Sequence, residues 1–315
     1  MAAGSVFVLA SFVLSCSAKV QRFPRPGESL AADIVMIEPG GKGLNLAVAA
    51  RRLGAEVDGL LAVGDDLASA FAAPALAQAD LPASMLIRVV GKTGSGVGFT
   101  DAHGETCLAV DPGANHALSA DHVREAAERI AAAAMVMAQF EIADGPIAEA
   151  LALARRAGVT TLLNPSPFRP IPDEILATTD ILVLNQTEAE ALAETVLPGA
   201  IDPAEPARFV SELGPAVLAR GPRLVVLTLG AAGAVALGHE GAIGQPAFPV
   251  DVVDTLGAGD AFAAALGVAL ARGLGTAEAL RQAAAAGAVA TRRAGVFDAL
   301  GCQADLDQLI GLARV

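Results

Sequence analysis

From Ser119 to Ala271 the chain alternates short apolar runs with longer helical ones, and most of the apolar runs stop on polar residues. Ala134 to Phe140 ends at Gln139-Phe140-Glu141, Val159 to Leu163 at Asn164-Pro165, Asp180 to Leu184 at Asn185, and Leu224 to Leu229 at Thr228-Leu229-Gly230. Continuous apolar runs of strand length suit strands covered on both faces, and helices between them make the strands parallel. Ser5 to Leu14 reads as the first such strand and Leu60 to Val63 as another. Residues 1–18 superficially resemble a signal peptide ending at Cys16, but no Lys or Arg precedes the apolar run, so a buried strand is the better reading. The predicted fold class is α/β, a single domain spanning 1–315 with a central, mainly parallel sheet flanked by helices. Two segments, about 16–37 and 85–112, break the alternation. They carry the Pro24-Arg25-Pro26-Gly27 turn and short pieces of alternating polarity separated by Gly91, Gly94, Gly96, Gly98 and Gly104. This pattern predicts a small, half-exposed antiparallel sheet, a lid beside the main body.

Several functions are excluded by composition. The net charge of −13 and the absence of Trp and Tyr argue against nucleic acid and anionic membranes as partners. No apolar run reads as a membrane span. Cys16, Cys107 and Cys302 have no metal-ligand spacing, which points to a reduced, cytoplasmic protein.

An acidic chain binds an anion only by local design, and one stretch offers it. Ala247 to Val253 reads as a strand, followed by Asp254-Thr255-Leu256-Gly257-Ala258-Gly259-Asp260 and a helical run from Ala261 to Ala271. Backbone N–H groups at a helix start converge on one point, and glycines let a phosphate approach them. Asp260 in the first turn reads equally as a helix cap or as a base that takes a hydroxyl proton during phosphoryl transfer.

Two further helix starts carry the same ambiguity. Gly40-Gly41-Lys42-Gly43-Leu44-Asn45 opens a helix that Gly54 stops; Lys42 and Asn45 are surface residues or donors to a polyhydroxy or phosphate ligand. It is not a Walker P-loop, since no Lys-Ser or Lys-Thr follows the glycines. Asn185-Gln186-Thr187-Glu188 is an acidic helix start or a pair that orders a hydrated Mg²⁺. A dinucleotide-binding dehydrogenase is excluded, because no Gly-x-Gly-x-x-Gly follows the first strand.

Taken together, Pro24 to Glu28, Gly40 to Asn45, Gly113-Ala114-Asn115, Gln139 to Glu141, Asn185 to Glu188, Thr228 to Gly230 and Asp254 to Asp260 closely resemble the ribokinase (PfkB) family of carbohydrate kinases, in this order over nearly the whole chain. The resemblance implies a ribokinase-like fold and ATP-dependent phosphorylation of a sugar hydroxymethyl group. It assigns Asp260 as base, and the amides of Gly257, Ala258 and Gly259 as an anion hole. Gly41, Lys42, Asn45 and Glu141, with Asp260, would bind the sugar. Asn185 and Glu188 would organise Mg²⁺ through water and, with Thr228, Gly230 and Gly233, the nucleotide. Asp254 and the Leu256 carbonyl would hold a monovalent cation, K⁺, with further carbonyls from Thr291 to Ala294. Ala283 would lie near the adenine, and the lid would form a homodimer.

One departure bears on the substrate. Where ribokinases carry Asn-x-Asp after the first strand, this chain has Val13 and Ser15. The resemblance therefore leaves open ribose or a related sugar, a nucleoside, a deoxysugar acid, and a catalytically idle binding protein.

Overall fold

The computed structural model describes residues 4–103, 105–197 and 206–312. Gly104 and Ala313, a break and a helix end in the sequence reading, lie outside them. The described strands are β1 (Ser5–Ala10), β2 (Val13–Lys19), β3 (Ile34–Gly40), β4 (Glu56–Val63), β5 (Leu86–Arg88), β6 (Gly94–Thr100), β7 (Thr106–Asp111), β8 (Met135–Gln139), β9 (Thr160–Asn164), β10 (Ile181–Asn185), β11 (Leu224–Thr228), β12 (Ala234–Gly238) and β13 (Gly241–Gln245).

Nine of them form one sheet in the order β13-β12-β11-β10-β9-β8-β1-β4-β5. It is parallel from β11 through β5, with β12 and β13 antiparallel at one edge. Alternate residues of β1 serve two cores. Val6, Val8 and Ala10 pack with the helices Lys42–Arg52, Ala258–Ala271 and Thr276–Ala290, while Phe7 and Leu9 pack on the other side with Asp144–Arg156 and Gln186–Val196. Phe7, Val8 and Leu9 are fully buried, each contributing roughly 1.5–3 kcal/mol relative to exposure. The sheet order reverses at β1, whose neighbours are β4 and β8, and an open α/β sheet places its ligands at such a point.

The remaining four strands form a small sheet, β3-β2-β6-β7, in which only the β2–β6 pair is parallel. The large parallel sheet with flanking helices and the separate small sheet agree with the predicted fold class, but three local expectations change. Ser5 to Leu14 is not one strand. The chain leaves the large sheet at Ser11-Phe12 and enters the small one at Val13, and Asn115 clamps the corner by accepting from the Phe12 N–H and donating to its carbonyl, both at 2.8 Å. Leu86–Arg88 belongs to the large sheet beside β4. Ala247 to Val253 is no strand: Pro249 lacks an N–H, and Val252 and Val253 are exposed. That segment is instead tied to the loop after Ala290, because the Val253 and Asp254 N–H groups both donate to the Thr291 carbonyl. The β13 strand, Gly-rich and without apolar alternation, was not foreseen.

Candidate active site

The Lys42–Arg52 helix starts against the end of β1. Gly41 has φ +107°, and a Cβ there would stand 2.7 Å from the Ser11 carbonyl oxygen; one on Gly43 would stand 2.1 Å from the Ser11 nitrogen. These glycines let the chain approach itself. The first N–H groups of the helix, which lack partners within it, are met from other strands. The Lys42 N–H donates to Glu141 Oε2 at 2.8 Å, the Gly43 N–H to Ser11 Oγ at 2.9 Å, and the Leu44 N–H to the Ser11 carbonyl at 3.1 Å. Ser11 Oγ donates in turn to Glu141 Oε2 at 2.6 Å. Gln139 fixes the corner that carries Glu141, accepting its N–H at 2.6 Å. Ser11 and Glu141, at the ends of β1 and β8, thus close the point where the sheet order reverses. Ser11 is not marked as a site residue by any motif, although it is the polar residue directly after the apolar residues of β1.

Opposite lies the start of the Ala258–Ala271 helix. Gly257 has φ +74° at the N-cap, and no side chain caps this helix. A Cβ on Gly257 would meet Val296, whereas one on Gly259 would meet nothing within 4 Å. The Ala258 N–H points to the Thr255 carbonyl at 3.3 Å. Asp260 is 5% exposed. Its Oδ2 accepts from Asn45 Nδ2 at 2.7 Å, and its Oδ1 lies 4.0 Å from Lys42 Nζ. The Asp260 charge raises the Lys42 pKa against the opposing effect of burial, with Glu141 and Glu188 adding to the rise. Asn45 Oδ1 is buried with no hydrogen-bond partner among the described residues. Burial pushes the Glu141 carboxyl up, partly offset by hydrogen bonds from Ser11 and the Lys42 N–H.

Asn185 caps the Gln186–Val196 helix in a reciprocal box with Glu188: each side chain accepts the other's N–H, at 2.8 and 2.9 Å. Glu188 is buried, which raises its pKa, and it lies close enough to Lys42 and Asp260 to feel their charges. Lys42, Asn45, Glu141, Glu188 and Asp260 therefore form one electrostatic cluster. Thr228 ends β11, where its hydroxyl donates to the Leu184 carbonyl at 3.3 Å. Gly230 has φ +55° with open space around its Cα, while a Cβ on Gly233 would stand 2.1 Å from the Gln245 carbonyl oxygen, giving Gly233 a packing reason. Ala283, expected near the adenine, is fully buried in the core between helix and sheet, so its side chain offers no surface to a ligand.

Asp254 joins two loops: Oδ1 accepts the Leu256 N–H at 3.0 Å and Oδ2 the Gly295 N–H at 3.1 Å. The Thr291 carbonyl is engaged by two N–H groups. In this loop Gly295, not Ala294, takes the positive φ, at +81°. Among the described residues no group of three or more His, Cys, Asp or Glu is placed to hold a metal ion, and no helix is long and apolar enough to cross a membrane.

A buried carboxylate in the first turn of an uncapped helix, beside a lysine and at the carboxyl ends of a parallel sheet, is an arrangement suited to moving an anionic group onto an alcohol. Residues 3–300 match the pfkB family carbohydrate kinases, and the chain belongs to that family; it is a sugar kinase of ribokinase type. It is 30% identical over 259 residues to the ribokinase of Staphylococcus aureus (82% of this chain, 83% of that protein). To the mouse ribokinase it is 32% identical over 273 residues (85% and 82%). The structure of Arabidopsis thaliana ribokinase complexed with ribose and ATP superimposes with a TM-score of 0.86 at 27% identity, covering 97% of this chain and 98% of that one.

Proposed function

We propose that this kinase transfers the γ-phosphoryl group of ATP to the hydroxymethyl group of ribose or a related sugar, with Asp260 as base. The carrying observation is the state of Asp260: Asn45 fixes Oδ2, and Oδ1 remains beside Lys42 at the open helix start. Asp260 takes the proton of the sugar hydroxyl, whose oxygen bonds to the γ-phosphorus as the bond to the ADP oxygen breaks. The N–H groups of Gly257 and Gly259, with Ala258 between them, receive the negative charge on the transferred group. The unpartnered Asn45 Oδ1 fits a sugar hydroxyl donor, and Gly41, Lys42 and Glu141 complete the acceptor site. Ribokinase relatives, one of them holding ribose and ATP, support both substrates.

Thr228 and Gly230 lie at the nucleotide end of the site. The Asn185–Glu188 oxygens suit a hard cation reached through water, and bound Mg²⁺ would neutralise phosphate charge there. Asp254 and the Leu256 carbonyl are an all-oxygen pair that suits K⁺, which would orient the Gly257 loop. The whole chain acts as one domain with the small sheet as lid. The exposed Val35, Ile37 and Val97 on the lid suit a homodimer, and the unpaired cysteines suit the cytoplasm.

Asp260→Asn tests the base. With Mg-ATP, K⁺ and a panel of pentoses and hexoses, coupled ADP release should fall about 10²–10⁴-fold in kcat, while ATP binding by thermal shift persists. A kcat within about tenfold of the parent would remove Asp260 from the role of base.

A further inference from the structure

β3 carries one more carboxylate toward the cleft, Glu38, which the reading above leaves unused. Successive residues of a strand face opposite sides of the sheet. Ser15 pairs with Glu38 on β3 and with Gly96 on β6, and Gly96 pairs with Val110 on β7, so these residues form one row on one face. Cys16, Ile37, Val97 and Ala109 form the next row, on the opposite face. The Glu38 face is turned toward the catalytic loops. Both Glu38 carboxylate oxygens lie 3.4 Å from where a Cβ on Gly295 would stand, and the next residue, Val296, is the one a Cβ on Gly257 would strike.

Glu38 has no hydrogen-bond or ion-pair partner among the described residues. Its charged neighbours, Asp298 and Asp254, are both acidic, so they supply no donor. A half-buried carboxylate without donors is costly, and a ligand that brings donors recovers the cost. A metal held by a cluster of side chains is a poor occupant, since no group of three or more His, Cys, Asp or Glu placed to hold one is found among the described residues. The acceptor site shows the same want of donors at its floor, where Asn45 is 6% exposed and its Oδ1 unpartnered.

We propose that Glu38 is a specificity-determining residue of the acceptor site, its carboxylate accepting hydrogen bonds from sugar hydroxyl groups away from the reacting hydroxymethyl. The inference rests on the kinase reading above. It places on β3 the carboxylate that Ser15 does not supply from β2, one strand away in direct register. The acceptor it selects is a neutral or amino-bearing polyol. A sugar acid is disfavoured, because Glu38 would add a further carboxylate to a site where Asp260 and Glu141 already act on Lys42.

The test uses D-ribose with Mg-ATP as probe, or, if 2-deoxyribose, fructose or glucosamine is turned over faster, the best of these. Glu38→Ala should raise the acceptor KM about tenfold to a hundredfold, leaving kcat and the KM for ATP within about twofold. Ser15→Asp added to Glu38→Ala should recover most of the loss, because it returns a carboxylate to the same row. An acceptor KM within about twofold of the parent in Glu38→Ala, or no rescue by Ser15→Asp, overturns the inference. Failure of the kinase reading looks different: the unmodified protein releases no ADP with any acceptor, and the role of Glu38 falls with it.

Discussion

Two glycine-rich helix starts meet at the cleft, and they are used in opposite ways. At the Lys42–Arg52 helix the protein supplies its own acceptors: Glu141 takes the Lys42 N–H, and Ser11 takes those of Gly43 and Leu44. At the Ala258–Ala271 helix no side chain caps the start. Both starts have the partial positive charge of a helix N-terminus, but only the second is left open to a ligand's anion. The first, closed by a carboxylate, offers side chains instead, with Lys42 and Asn45 both directed to Asp260. On the proposed mechanism this is a division of labour: one helix would position the acceptor and the carboxylate, and the other would receive the phosphoryl charge. Glycine content alone does not distinguish the two, because Gly43 is there for the chain's approach to itself and Gly259 borders open space.

Alanine at these two glycines should break the comparison if it is wrong. Gly43→Ala has the largest expected effect. Its new Cβ would stand 2.1 Å from backbone that cannot swing aside, so the cost should reach or exceed about 3 kcal/mol, the upper end of ordinary overpacking. Urea unfolding would measure it, and a cost below about 1 kcal/mol would mean that the Ser11 corner is not the reason for the glycine. Gly259→Ala should do the reverse. It meets nothing within 4 Å and gains helix propensity, so stability should rise by about 0.5–1 kcal/mol. The added methyl nevertheless stands at the open start, and kcat should fall about tenfold or more. Unchanged turnover in this variant would show that the phosphoryl group does not approach there.

Much of this frame was legible in the sequence because it is local. A buried parallel strand declares itself as an apolar run, and β8 through β11 followed that rule closely. The Asn185–Glu188 helix start was equally readable, since its partners are three residues apart. What escaped depends on partners far along the chain. Ser11 matters because residues 32 and 130 positions away bond to its hydroxyl. The Ser5 to Leu14 run divides because Asn115, 103 residues on, bonds to Phe12. Glu38 reads as an ordinary charge on an exposed strand until the β2–β3 register sets it across from Ser15. Ala247 to Val253 is apolar enough for a strand, but Pro249 interrupts its N–H groups and the Thr291 carbonyl, 38 residues beyond Val253, holds its end.

The smallest expected effect sharpens the account of the closed start. Glu141→Gln keeps an acceptor for Ser11 Oγ and the Lys42 N–H but removes the charge. Burial holds the Glu141 carboxyl above its usual 4.5 in the folded protein. A raised folded pKa means that folding favours the protonated form, so the stabilising contribution is full below about 4.5 and is lost as pH rises through the folded value. Glutamine has no proton to lose. The unfolding free energy of Glu141→Gln relative to the parent should therefore shift in favour of the variant as pH rises from about 4 to about 7 in urea titrations. Glu188, which is also raised, titrates in both proteins and largely cancels in the difference. A shift in the parent's favour would carry a different meaning: the Lys42 N–H, Ser11 and the helix dipole would then hold the ionised carboxylate better than water does, and the closed start would itself be an anion site, occupied by the protein's own glutamate.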